Sequence, residues 1–427
     1  MKKCVLLIFL LTLSLAGLSA QTTPMAKDHS KFLGNIYPNS TPYNFNLYWN
    51  QVTPENAGKW GSLQPSNQNS FSWTNLDRAY NYAKDNGYKF KLHTLIWGSQ
   101  EPAWIDNLSA SAQKNAVENL FSQISQRYPD IDFIDVVNEP LHQPPSYKNA
   151  IGGNGSTGWD WVIWSFQEAR AYFPNAKLLI NEYGIISDMN AATTYANIIA
   201  TLQSQNLIDG IGIQCHQFNL NLVSTTTMEN VLNKLAERNL PIYVTELDIT
   251  GKPSSITTDA AYTQYMQTNS ATDEETQYER YMEKFPVLWE NENVAGITLW
   301  GYIEGATWTP GSGLLNSNHT ERKAIVWLKE YMASEASYAP NKFDGTNSIH
   351  LVKADNSLVS IYPNPASDYV TVEGKNINRI DLLDISGKRL LTQSGNKTIA
   401  IGNLPAGLYI VRIEADGNII QKKLLKK

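Results

Sequence analysis

The chain has 427 residues, of which 17% are charged and 11% aromatic, including 12 Trp and 22 Tyr, and it carries a net charge of −6. That length exceeds one average domain but suits a barrel of about 250 residues or more with a small appendage. The acidic balance excludes a basic footprint for nucleic acid, whereas a lightly charged, aromatic-rich surface suits uncharged polyhydroxylated ligands.

At the amino terminus Met1-Lys2-Lys3 precedes an apolar run from Val5 to Leu18 and then Ser19-Ala20-Gln21. This is the pattern of an export signal over residues 1–20, with cleavage expected after Ala20. The run is too short to cross a membrane as a mature helix, so no membrane span is expected. Removing it takes away Cys4 and leaves Cys215 as the only mature cysteine, which rules out an intrachain disulfide. Cys215 sits in an apolar stretch between Gln214 and His216 and reads as a small core residue.

Eight extended apolar segments follow, centred on residues 32–35, 48–52, 90–97, 131–137, 177–180, 210–214, 242–245 and 294–300. Each is trailed by a helical stretch or a long loop; residues 112–127, 161–173 and 228–238 repeat apolar side chains at helical spacing. Repeated βα units predict an α/β fold, a (β/α)8 TIM barrel over residues 24–333. Residues 334–357 are rich in Ser, Asn, Ala and Gly without periodicity, the composition of a linker. From 358 to 427 short strands alternate in period two between Gly, Asn and Pro turns, which predicts a small C-terminal β-sandwich.

In such a barrel the chemistry gathers where the strands end. Two β-branched runs break into acidic and amide residues there: Asp135-Val136-Val137-Asn138-Glu139-Pro140 and Ile242-Tyr243-Val244-Thr245-Glu246-Leu247-Asp248. Two glutamates on different strands facing one cleft are what retaining glycoside hydrolysis needs, a carboxylic acid for the leaving oxygen and a carboxylate to attack the sugar. The alternative is a pair of salt-bridged barrel glutamates. Other strand ends add Glu55, Asn56, Lys59 and Trp60; His93, Trp97, Gly98 and Gln100; Gln214 and His216; and Trp300, with Trp308 in the loop beyond. Polar groups at so many strand ends are hard to ascribe to packing, because a buried polar group without a partner costs about 1–3 kcal/mol.

Gln214 and His216 are two apart, as are Glu246 and Asp248, so each pair shares a strand face. If His216 bonds Glu246 while Asp248 orients the ring, the imidazole holds the nucleophile ionised; the alternative is a satisfied core histidine. Glu139, as the acid, is expected among apolar or aromatic groups with Glu246 nearby. The six His form no metal motif, and Gly152-Gly153-Asn154-Gly155 lacks the Lys-Ser/Thr of a phosphate loop, so neither metal nor cofactor is expected.

Taken in order, Thr53-Pro54-Glu55-Asn56 with Lys59, His93-Thr94-Leu95-Ile96-Trp97 with Ser99-Gln100, Val136-Val137-Asn138-Glu139, residues 208–214 with His216, Thr245-Glu246-Leu247-Asp248, and residues 296–301 with Trp308 resemble glycoside hydrolase family 10, the endo-β-1,4-xylanases, over residues 30–331. The resemblance implies a secreted, retaining endo-1,4-β-xylanase with Glu139 as acid/base and Glu246 as nucleophile. It implies that Asn138, His93, Gln214 and His216 surround the cleaved sugar, that Glu55, Asn56 and Lys59 hold the next xylose, and that Trp97, Trp300 and Trp308 shape the cleft. The chain departs from the family at Gly98, where His is usual, at Ala57-Gly58, and at Thr309 in place of Arg. Gly98 is expected to add room in the cleft.

Residues 362–365, 382–388 and 404–409 with the basic end Lys422-Lys423-Leu424-Leu425-Lys426-Lys427 resemble the sorting domain of type IX secretion cargo. That implies a secretion-machinery partner and a product secreted or held at the cell surface after outer-membrane export, as a monomer. A carbohydrate-binding or spacer sandwich is the alternative for this unit. For the whole chain the alternatives are a β-1,4- or mixed-linkage glucanase and a non-catalytic xylan-binding surface protein; the intact Glu139 and Glu246 argue against the last.

Overall fold

The computed structural model describes residues 23–344, 359–384, 389–415 and 418–427. The export signal read over residues 1–20 and the later part of the linker lie outside the described residues. Eight parallel strands close into a barrel in chain order: β1 (Phe32–Tyr37), β2 (Gln51–Pro54), β3 (Lys89–Ile96), β4 (Phe133–Asn138), β5 (Lys177–Glu182), β6 (Gly210–Ile213), β7 (Ile242–Leu247) and β8 (Val294–Leu299). Closure is made by β1 and β8, paired from Phe32 with Gly296 to Asn35 with Leu299. The second strand begins at Gln51 rather than at 48, because Phe45–Tyr48 forms a helical turn that buries both terminal rings.

The strands are apolar because both faces are covered, by helices outside and by packed side chains within. The surrounding helices start where the sequence offers caps: Ser109 accepts from the Ala112 N–H at 3.4 Å, Asp188 from Asn190 at 2.7 Å, and Ser224 from Thr227 at 3.1 Å. Phe32, Phe133 and Tyr243 plug the barrel mouth opposite the strand ends, with ring centroids 5.2–5.9 Å apart. Gly296 is required by this plug, since a Cβ there would sit 2.4 Å from the Phe32 ring. With that end sealed by aromatics, the polar interior is left at the strands' carboxyl ends.

Residues 334–344, whose composition reads as linker, pack on the barrel. Ala339 is buried in the barrel's apolar cluster, the Trp289 indole N–H donates to the Ser337 carbonyl at 2.7 Å, and Asn341 donates to Ser30 O at 3.0 Å. Composition misreads this stretch because its hold on the barrel is a few hydrogen bonds to residues far away in sequence, not a periodic apolar face.

The C-terminal unit forms two antiparallel sheets. One orders β13 (Thr398–Ala400), β10 (Tyr369–Gly374) and β9 (Val359–Tyr362); the other orders β12 (Arg389–Gln393), β11 (Ile377–Leu383), β14 (Gly407–Ala415) and β15 (Asn418–Lys426). Alternating residues from both, including Val370 and Val372 from one and Leu382, Val411 and Ile413 from the other, share one apolar cluster. Among the described residues no helix is long and apolar enough to cross a membrane.

Candidate active site

The site is built upward from a buried ion pair. Lys91 and His93 alternate along β3, so both side chains enter the barrel. They meet Asp135 of β4, whose Oδ2 lies 2.8 Å from Lys91 Nζ and 3.0 Å from His93 Nδ1. All three are buried. An ionic contact this deep survives because each charge has a partner; an isolated one would be strongly disfavoured.

Above it Glu246, on β7, is 4% exposed. Its Oε1 accepts from Asn181 Nδ2 at 2.7 Å and its Oε2 lies 3.1 Å from His216 Nε2. The far side of the imidazole, Nδ1, stands 2.9 Å from Asp248 Oδ2, which also accepts from the Trp308 indole N–H at 2.7 Å. Burial alone would raise the Glu246 carboxyl, but the His216 hydrogen bond, together with the electrostatic pull of His93, His216 and Lys91, holds it down at about 2. Burial would likewise strip the proton from His216, yet Asp248 and Glu246 push it up to about 10. The pair is therefore a carboxylate beside an imidazolium that donates from both nitrogens.

Glu139 follows the last residue of β4 in a left-handed conformation, φ 55°. Its Oε2 accepts from the Trp97 indole N–H at 3.0 Å, and its Oε1 from Gln214 Nε2 at 3.0 Å and Asn138 Nδ2 at 3.3 Å. The aromatic neighbour expected for it is present, but it meets the carboxyl through a polar N–H, and two amides join it. Each of these donors is neutral, in contrast to the imidazolium beside Glu246. Asn181 Nδ2 also donates to Asn138 Oδ1 at 2.8 Å, so one amide of β5 joins the surroundings of both glutamates.

The remaining expected residues divide into those that join this network and those that do not. Lys59 Nζ donates to Asn56 Oδ1 at 2.8 Å and lies 5.2 Å from the Trp97 ring centroid. Burial lowers the Lys59 ammonium, against the pull of Glu246, Glu55 and Glu139, and burial raises Glu55 against the pull of Lys59. Trp300 packs edge-on to His93 and His216, whereas Trp308 is 49% exposed on the rim. Gln100 stays outside: its side chain is exposed and its carbonyl accepts from the Gly61 N–H at 2.9 Å.

Two expectations are corrected. Gln214 and His216 do point into one site, but not by strand alternation: β6 ends at Ile213 and Cys215 between them is left-handed, φ 61°. Gly98 opens no room. A Cβ there would lie 2.3 Å from Pro144 O and 2.7 Å from Gln143 O, and the Gly98 N–H donates to Gln143 O at 2.9 Å. The loop after β4 fills the space that the absent side chain leaves.

Sequence reasoning missed Asn181, Glu182 and Tyr183. Leu178-Leu179-Ile180 breaks into Asn181-Glu182 just as β4 and β7 break into their acidic ends, and that was the available signal. It also missed an aromatic rim: His142 stacks on Tyr183 at 4.0 Å, and exposed Phe218 approaches Tyr183, His216 and Trp308 at 5.9, 5.5 and 6.5 Å. Among the described residues no group of three or more His, Cys, Asp or Glu could hold a metal ion.

Residues 16–339 match the model of glycosyl hydrolase family 10, and residues 360–427 match that of the secretion system C-terminal sorting domain. The chain is 37% identical over 304 residues to endo-1,4-beta-xylanase B of Cellvibrio japonicus, a match covering 70% of this chain and 45% of that protein, so the chain spans under half of that relative's length. It is 30% identical over 295 residues to endo-1,4-beta-xylanase A of Phanerodontia chrysosporium, covering 68% of this chain and 67% of the relative. In fold it is similar to native xylanase 10B from Thermotoga maritima, with TM-score 0.62 and 21% identity over 75% of this chain and 99% of the other.

Proposed function

The chain belongs to glycosyl hydrolase family 10, and on that premise we propose that it is an exported endo-1,4-β-xylanase working by double displacement as a single chain. Glu246 attacks the anomeric carbon as the bond to the leaving sugar breaks, and Glu139 gives that departing oxygen its proton. Glu139, now a carboxylate, then takes a proton from the water that attacks the same carbon and frees Glu246. The observation that carries this reading is the contrast between the two carboxyls: Glu246 bonded to a protonated His216, Glu139 bonded to neutral donors.

Asn138, His93, Gln214 and His216 then surround the cleaved sugar, Glu55, Asn56 and Lys59 hold the next xylose, and Trp97, Trp300 and Trp308 shape the cleft, with Gln100 on the rim. The C-terminal unit is a type IX secretion sorting domain, and the protein is exported, either released or held at the cell surface. We assign the signal to residues 1–20, the barrel to 24 through about 344, and the sorting unit to 358–427. A glucanase reading loses support at Gly98, where the room expected for the larger sugar is filled by the Gln143-Pro144 backbone.

Reducing-sugar release from xylan, mixed-linkage glucan and carboxymethyl cellulose in parallel tests the substrate. Proton NMR of early products tests the mechanism, with the β-anomer expected first. An initial α-product, or Glu246→Ala retaining turnover, would overturn it.

A further inference from the structure

Glu182, at the end of β5, makes no contact with either glutamate carboxyl in the network described above, yet it is fully buried and has three hydrogen-bond partners. Its Oε2 accepts from the Leu141 N–H at 2.8 Å; its Oε1 accepts from the Tyr183 N–H at 2.8 Å and lies 2.9 Å from His142 Nδ1. Leu141 and His142 belong to the turn that begins at Glu139.

Each backbone N–H of that turn has an acceptor. Glu139 N–H donates to Asn181 O at 2.8 Å, continuing the β4–β5 pairing; Pro140 has none; His142 and Gln143 donate back to Glu139 O at 3.1 and 2.7 Å. Leu141 is left, and its N–H goes to Glu182. Glu139 itself is left-handed, a conformation that a residue with a Cβ holds only where its surroundings impose it. Two of the turn's residues are tied to one buried carboxyl, which burial pushes up to about 7 against the hydrogen bonds of His142 and of the Leu141 and Tyr183 N–H groups.

We propose that Glu182 is a positioning residue for proton donation: it clamps the Glu139–Gln143 turn and thereby aims the Glu139 carboxyl at the leaving oxygen. The inference rests on the acid role assigned to Glu139. Glutamine at 182 keeps the size but replaces one acceptor with an N–H2, which faces an N–H of the turn or of Tyr183 and cannot satisfy it. The turn then relaxes, and the cost falls on the step that needs the proton.

The test uses the full chain and aryl β-xylobiosides of graded leaving-group acidity, reading kcat/KM, which reports the first bond cleavage. Glu182→Gln is expected to lower kcat/KM for the phenyl glycoside by about 100-fold, the lower end of what a positioned general acid supplies, and for the 2,4-dinitrophenyl glycoside by less than about threefold. His142→Ala, at a half-exposed position, is expected to show the same bias to a smaller degree, and it decides the matter should Glu182→Gln fail to fold. Equal losses on both substrates, or no loss on either, would overturn the proposal. Glu139→Ala run alongside separates the two ideas: no leaving-group bias there removes the acid assignment, whereas bias in Glu139→Ala without bias at Glu182 removes only the clamp.

Discussion

His216 Nε2 and Glu246 Oε2 stand 3.1 Å apart in the buried centre of the barrel, and each ionises the other. Glu246 is lowered from 4.5 to about 2, so it is a carboxylate across the usual assay range, and the stability it contributes is present above about pH 4.5 and lost as pH falls through 2. His216 is raised from 6.5 to about 10, so its contribution is full below 6.5 and lost as pH rises through 10. Replacing the imidazolium by His216→Asn leaves burial to raise Glu246. The acidic limb of kcat/KM should then move upward by at least about one pH unit. The fall in melting temperature between pH 7 and 10 should also be shallower than in the parent. An unchanged acidic limb would mean that His216 does not hold Glu246 ionised.

The two apolar cores predict what truncation does. The barrel's cluster runs from Met25 to Ala339, and the C-terminal cluster from Val359 to Leu424. A chain ending at Asp344 should therefore keep xylan activity per mole within about twofold, since a domain with its own core folds alone, while losing export in the native cell. A chain ending at Ala333 should be worse. It orphans the Trp289 indole N–H, about 1–3 kcal/mol for a buried donor, and exposes the surface under Ala339. Its melting temperature should lie about 2–5 °C below that of the longer form. Equal melting temperatures would place the barrel's end before Ser334.

Much of the site was legible in the sequence because barrel strands announce their ends: a buried apolar run cannot finish in Asn-Glu or Glu-Leu-Asp without a use for those groups. The His216 and Asp248 relationship followed from residue types, although the assumed cause, strand alternation, was replaced by the left-handed Cys215. What stayed hidden depends on partners distant in sequence. Asn181 and Glu182 carry the same signal as Glu139 and Glu246, but their roles appear only when β4 and β5 pair and bring the Glu139 turn over Glu182. Tyr183, His142 and Phe218 form their rim from the segments that follow three different strands, β5, β4 and β6, and residues 334–344 look like linker until their hydrogen bonds to Ser30 and Trp289 are seen.

Gly98 is the position where sequence and structure give opposite predictions. As spare room, it would accept a side chain and respond with a change of substrate range. As a close contact it cannot, because even the Cβ of alanine would fall 2.3 Å from Pro144 O and 2.7 Å from Gln143 O, both backbone atoms without a rotamer to escape into. The loop that must yield is the one that begins with Glu139, and Trp97, next to Gly98, donates to the Glu139 carboxyl at 3.0 Å. Displacing the loop therefore disturbs the acid from both sides. Gly98→Ala is expected to lower kcat/KM on xylan at least about tenfold, equivalent to about 1.4 kcal/mol in the barrier. The loss should lie mainly in kcat, and the more bulky Gly98→His should lose more. Comparing both variants with the parent on xylan, with melting curves to show that each is folded, settles the point. An alanine variant within twofold of the parent would show that the loop yields freely and that Gly98 does not constrain Glu139.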